Sequence, residues 1–113
     1  MNRLQLAALV AAAALVPALA LANAIPVTKT GKSGQPIGLI VIFNCETHLL
    51  PGSAYGSAVH GKVTVSKDTR DVCFKKDEPV LSFVYTSNPG YKGDDTASLY
   101  IYNEVQNYHL IVQ

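Results

Sequence analysis

The sequence predicts an all-β protein, a single small antiparallel β-sandwich of six or seven strands that follows a cleaved signal peptide. Three observations carry that expectation. Near its start the chain carries an uncharged run built almost wholly of Ala, Leu and Val. Beyond it come short segments rich in Val, Ile, Tyr and Phe, separated by Gly, Pro, Asn and Ser, which is how strands and turns read. No stretch after residue 24 carries an amphipathic helical period of useful length, so the strands must pack on one another.

The first three residues supply one positive charge, Arg3, and the apolar run extends over residues 6–22 with Pro17 near its end. Ala22-Asn23-Ala24 follows, a small-x-small tripeptide of the kind signal peptidase accepts. A charged start, an apolar middle and a small-residue exit are the three parts of a secretory signal. A spanning helix wants about 20 apolar residues; this run is slightly short, contains Pro17 and is followed by no basic stop-transfer cluster. The expected organisation is a signal peptide over residues 1–24 and one domain over residues 25–113, delivered to the periplasm or the cell exterior.

The strands are expected as follows. Residues 25–30 form a short first strand, and residues 31–36 a turn-rich connector. Residues 37–44 are a nearly continuous apolar run flanked by turn signals, read as a buried strand. Pro51-Gly52-Ser53 opens a loop that carries Tyr55. Residues 59–66 alternate, with Val59, Gly61, Val63 and Val65 on the core face and His60, Lys62, Thr64 and Ser66 on the other. Residues 72–75 are a short strand holding the second cysteine. Residues 80–86 place Leu81, Phe83 and Tyr85 on one face. Asn88-Pro89-Gly90 is a turn, and residues 96–103 and 107–112 make a hairpin with Leu99 and Ile101 inward and Tyr100 and Tyr102 outward.

Cys45 and Cys73 are the only cysteines. An even count in an exported chain reads as a disulfide. It would close a loop of roughly 29 residues and contribute about 3–4 kcal/mol in the chain-entropy model. A redox pair would sit as Cys-x-x-Cys, and a nucleophilic thiol needs a basic setting; Cys45 lies beside Glu46, and Cys73 between Val72 and Phe74.

The block Phe83-x-Tyr85-Thr86-x-Asn88-Pro89-Gly90-Tyr91-x-Gly93-x-Asp95, preceded by His60-Gly61-Lys62-Val63, resembles blocks of bacterial immunoglobulin-like and cadherin-like modules. The resemblance covers residues 58–112. It implies an immunoglobulin-like sandwich and a surface or adhesion setting, in a single-module version. Lys62 stands where Thr is usual, and Thr96-Ala97-Ser98-Leu99 where aromatics usually stand. Physically, Pro89 fixes φ and Gly90 accepts a positive φ, so the pair turns the chain. Tyr91 can fold over the end of the sandwich, and Asp95 can accept backbone N–H bonds and pin its loop.

The chain carries nine Lys or Arg and eight Asp or Glu. Loss of Arg3 with the signal leaves a formally neutral domain, which argues against nucleic acid as partner. His48, His60 and His109 show none of the short spacings of zinc sites. Asp94 and Asp95 are the calcium candidates, yet calcium takes 6–8 oxygens and only Asn88 lies near them. Ser53, Ser57, His48 and His60 carry no Gly-x-Ser-x-Gly elbow, and Glu46, Glu78 and Glu104 could pair as acid and base, a placement that sequence alone does not give.

These readings predict an exported binding or interaction module rather than an enzyme, with no cofactor. Tyr55 and Tyr91 are the candidate recognition residues, since tyrosine presents a large amphipathic surface. The expected partner is another envelope or extracellular protein, with no membrane span after cleavage. The alternatives are an inhibitor of an envelope hydrolase that inserts the Tyr55 loop, a carrier of a small ligand or metal, and self-association through the C-terminal strand.

Overall fold

A computed structural model describes residues 26–113. The expected signal peptide, residues 1–24, lies outside the described residues. Seven strands follow: β1 Val27–Gly31, β2 Ile37–Ile42, β3 Ala54–Ala58, β4 Gly61–Arg70, β5 Glu78–Ser87, β6 Gly93–Ile101 and β7 Glu104–Val112. They form two sheets. One has the order β1-β7-β6-β3, the other β2-β5-β4. Every pairing is antiparallel except β1 with β7, which is parallel, Val27 opposite Tyr108 and Gly31 opposite Val112. β3 and β6 share this sheet, and β7 comes to lie beside β1 running the same way.

The two central strands of the core alternate as strands with one buried face do. On β5, Leu81, Phe83 and Tyr85 are buried; on β6, Ala97, Leu99 and Ile101 are buried. They meet Leu39 from β2 and Tyr108, Leu110 and Val112 from β7 in one cluster. This agrees with the inward faces read from the alternation; Tyr102, expected on the outer face of a strand over residues 96–103, is exposed in the turn that follows Ile101.

Three segments differ from expectation. Tyr55 sits on a strand, β3, rather than on a loop; β3 pairs with β6 from Ala54 opposite Ile101 to Ala58 opposite Ala97. Residues 72–75 are a turn: Cys73 and Phe74 take consecutive left-handed φ of 59° and 57°, and the Lys75 N–H donates to the Val72 carbonyl at 3.0 Å. Val59 and His60 form the corner between β3 and β4, and Val59 is exposed instead of facing the core. β4 in turn runs on to Arg70, beyond the end of its apolar alternation, with residues 66–70 all exposed.

The C-terminal strand is internal over residues 108–112. β1 pairs with it on one side and β6 on the other, and Gln113 extends the first ladder by donating its N–H to the Gly31 carbonyl at 2.9 Å. Self-association through that edge would require displacing β1.

Candidate functional site

The loops divide between the two ends of the sandwich, and the ends differ in kind. Ile42 of β2 pairs with Leu81, and Arg70 of β4 pairs with Glu78, near the start of β5. Loops 43–53 and 71–77 therefore leave at the same end. Loop 43–53 delivers the chain to Ala54, opposite Ile101, so the β6–β7 turn at Tyr102 lies at that end too.

Cys45 and Cys73 are bonded, Cα to Cα 5.4 Å, and join these two loops. Around the bond the backbone is held locally. The Asn44 side-chain oxygen accepts the N–H groups of Glu46 and Thr47 at 2.9 and 3.0 Å. The Asn44 carbonyl accepts the His48 N–H at 2.9 Å, and the His48 ring bonds the Glu78 carboxylate. This is the Asx-type turn that Asn favours.

That end also gathers exposed apolar surface. Of the eight exposed large hydrophobic residues among the described residues, six lie here: Phe43, Leu49, Tyr55, Phe74, Tyr102 and Val105. The Phe74 side chain is fully exposed. All five non-glycine residues with positive φ among the described residues are here as well: His48, Cys73, Phe74, Asp77 and Tyr102. Such conformations cost of order 1–3 kcal/mol each and cluster where loops are shaped for a task. Tyr55 is 58% exposed, and its ring stacks on Tyr100, its partner across β3 and β6, with centroids 4.7 Å apart and planes 17° apart.

The opposite end is tied inward. Asp95 on β6 is 3% exposed. Its carboxylate accepts the Tyr85 hydroxyl at 2.6 Å, the Thr96 N–H at 2.8 Å and the His60 N–H at 3.0 and 3.1 Å. Burial pushes the Tyr85 hydroxyl far above the ordinary tyrosine range, and its bond to the negative Asp95 pushes it further the same way. Asp95 does pin the chain as its position suggests, but its partners include the β3–β4 corner and the other sheet, not only its own loop.

Tyr91 is half-buried and packed against the core cluster. Its ring lies flat on His60, centroids 4.2 Å apart and planes 8° apart, and its hydroxyl donates to the Asp94 carbonyl. The 88–91 turn closes with the Tyr91 N–H on the Asn88 carbonyl at 3.1 Å, Gly90 taking φ of 84°. Of the two candidate recognition tyrosines, Tyr55 is presented to solvent and Tyr91 is a packing residue.

Asp94 and Asp95 are adjacent on a strand and point to opposite faces. The Asp94 side chain is 77% exposed and lies 3.5 Å from Nε2 of His109, while the Asp95 oxygens are spent on three donors. The two carboxylates cannot converge on one calcium ion. The three histidines do not converge either: His48 is held by Glu78 at one end, while His60 and His109 border a shallow hollow of about 360 Å³ at the other. No group of three or more His, Cys, Asp or Glu that could hold a metal occurs among the described residues.

The apolar end escaped the sequence reading because its six residues are scattered over four segments of chain. Comparison with known protein families, with curated proteins and with solved structures finds no match, so the residues themselves carry the functional argument.

Proposed function

We propose that this protein is an exported, non-enzymatic interaction module that engages another envelope or extracellular protein through its disulfide-joined end. The observation that carries the reading is the exposure of Phe43, Leu49 and Phe74 on loops bound together by Cys45–Cys73, at the same end as exposed Tyr55, Tyr102 and Val105. Exposed apolar groups gathered in one patch mark interaction sites, and loops held in one conformation lose less entropy on binding. A formed disulfide favours an oxidising compartment, periplasmic or extracellular.

The strand order supports an immunoglobulin-like module. β2-β5-β4 faces β3-β6-β7, which corresponds to strands B-E-D and C-F-G of that layout, with β1 joined to the last strand instead of the first sheet. Loops 43–53 and 102–103 then occupy the end that carries the recognition loops of variable domains. The cysteine bond departs from that layout: it joins two loops at one end, whereas the antibody bridge crosses the core.

A photo-crosslinking amino acid placed at Phe74 or Leu49, and in parallel at Thr64 on the exposed face of β4, tests the reading in the native envelope. Discrete adducts from positions 74 and 49 and none from 64 are expected. Equal labelling from all three, or none, rejects it. The second reading, an inhibitor of an envelope hydrolase, is favoured by the full exposure of Phe74 on a turn next to Cys73. It places the inserting side chain at Phe74, since Tyr55 lies on a strand. Loss of hydrolase inhibition in Phe74→Ala would select it.

A further inference from the structure

We infer that β3 is a self-pairing edge, and that two copies of this chain associate by antiparallel β3–β3 pairing about Gly56. The sandwich has four edge strands, β1, β3, β2 and β4. Native edges are guarded by charge, bulges or proline against unwanted pairing. β1 carries Lys29, and β4 carries Lys62, Lys67, Asp68 and Arg70. β2 is interrupted by a register shift between Gly38 and Ile40. β3, Ala54-Tyr55-Gly56-Ser57-Ala58, has no charge, no proline and no shift in its pairing with β6. Among the described residues its only ladder is the one with β6.

The strand is also close to self-complementary. A Cβ at Gly56 would meet Val63 and Leu99, so Gly56 faces the core and Tyr55 and Ser57 face out. Antiparallel pairing centred on Gly56 sets Ala54 against Ala58 of the partner and Tyr55 against Ser57. The two Tyr55 rings then become diagonal neighbours, within reach of each other across the new ladder. Each is already stacked on its own Tyr100, so the twofold makes a row of four rings over one continuous eight-stranded sheet. No like charges meet across the axis.

A five-residue ladder is small beside the roughly 1,200 Å² or more that stable complexes bury, which points to dissociation constants on the order of 10–100 μM. Sedimentation equilibrium of the disulfide-intact domain from 10 μM to 1 mM, on the order of that range, tests it with a charge swap. Ser57→Lys and Ser57→Glu lie on the exposed face, and their thermal unfolding checks that each folds. Wild type is expected to dimerise with concentration. Each variant alone is expected to weaken association, by up to about fivefold, through like charges diagonal across the axis. An equimolar mixture of the two is expected to associate again as a heterodimer. A monomeric wild type at the highest concentration overturns the proposal. So does a dimer indifferent to both substitutions, or variants whose mixture fails to recover.

Discussion

The Tyr85 hydroxyl donates a 2.6 Å hydrogen bond to Oδ2 of Asp95, and this bond passes from one sheet of the sandwich to the other. The same carboxylate holds the β3–β4 corner through the His60 N–H. Asp95 thus ties three parts of the chain at the end remote from the disulfide. Asp95→Ala leaves the Tyr85 hydroxyl and two N–H groups without their acceptor, at a cost of about 3 kcal/mol. Tyr85→Phe removes one bond of the set and costs about 1–2 kcal/mol. Urea unfolding of both variants and of the double variant checks this. Fully additive losses would mean that the bond is not shared between them.

Stability should fall in alkali. The Tyr85 hydroxyl is raised above its ordinary value by burial and then by Asp95, and the Tyr108 hydroxyl is raised by burial. Below about pH 10 both groups are protonated in the folded and unfolded chain and add no pH dependence. Above it the unfolded chain releases protons that the folded chain keeps, so the unfolded state gains. Each tyrosine then lowers stability by up to about 1.4 kcal/mol per pH unit. Urea midpoints at pH 8, 10 and 11, values chosen on either side of the ordinary tyrosine pKa of about 10, should decline only over the last interval. Tyr85→Phe should make that decline shallower.

Reduction should weaken the fold substantially. The Cys45–Cys73 bond spans 28 positions of sequence and contributes about 3–4 kcal/mol in the chain-entropy model. A small domain has about 5–10 kcal/mol in total. The double variant Cys45→Ser, Cys73→Ser should therefore melt well below the oxidised protein. An intact mass that does not rise by two hydrogens on reduction under denaturing conditions would show that the bond is not formed in the isolated protein.

Phe74 separates the demands of binding from those of stability. It holds φ of 57° with its side chain in solvent, so the folded state loses nothing when the ring is removed. Phe74→Gly relieves the left-handed backbone and should stabilise the fold by up to about 1 kcal/mol, less the added entropy of the unfolded chain. The same substitution should abolish crosslinking or partner binding at that end. A loss of stability on Phe74→Gly would mean that the ring packs against the loop.

Legibility in the sequence followed the range of the interaction. Leu81, Phe83 and Tyr85, and Leu99 and Ile101, declare their buried face by alternation alone, since a strand's two faces are set by neighbours two residues away. β3 did not: Ala54, Gly56, Ser57 and Ala58 have little strand preference of their own. They are held extended by pairing with β6 and by the closeness of Val63 and Leu99 to Gly56. The turn at residues 72–75 is not legible for a related reason. Val72 and Phe74 look like strand residues, and the bond from Cys73 to Cys45 lies in a turn that no local pattern announces.

By itself the sequence determined an all-β chain, the inward faces of its two central strands, and one cysteine pair in a formally neutral domain. These depend on composition and on period-two alternation, which are local. The tertiary structure decided that Asp95 serves the other sheet and that the C-terminal strand lies inside rather than at an edge. It also decided that Phe43, Leu49, Tyr55, Phe74, Tyr102 and Val105 share one end. Those are consequences of the path the chain takes between the sheets, which brings together residues that are tens of positions apart and carry no mark of one another.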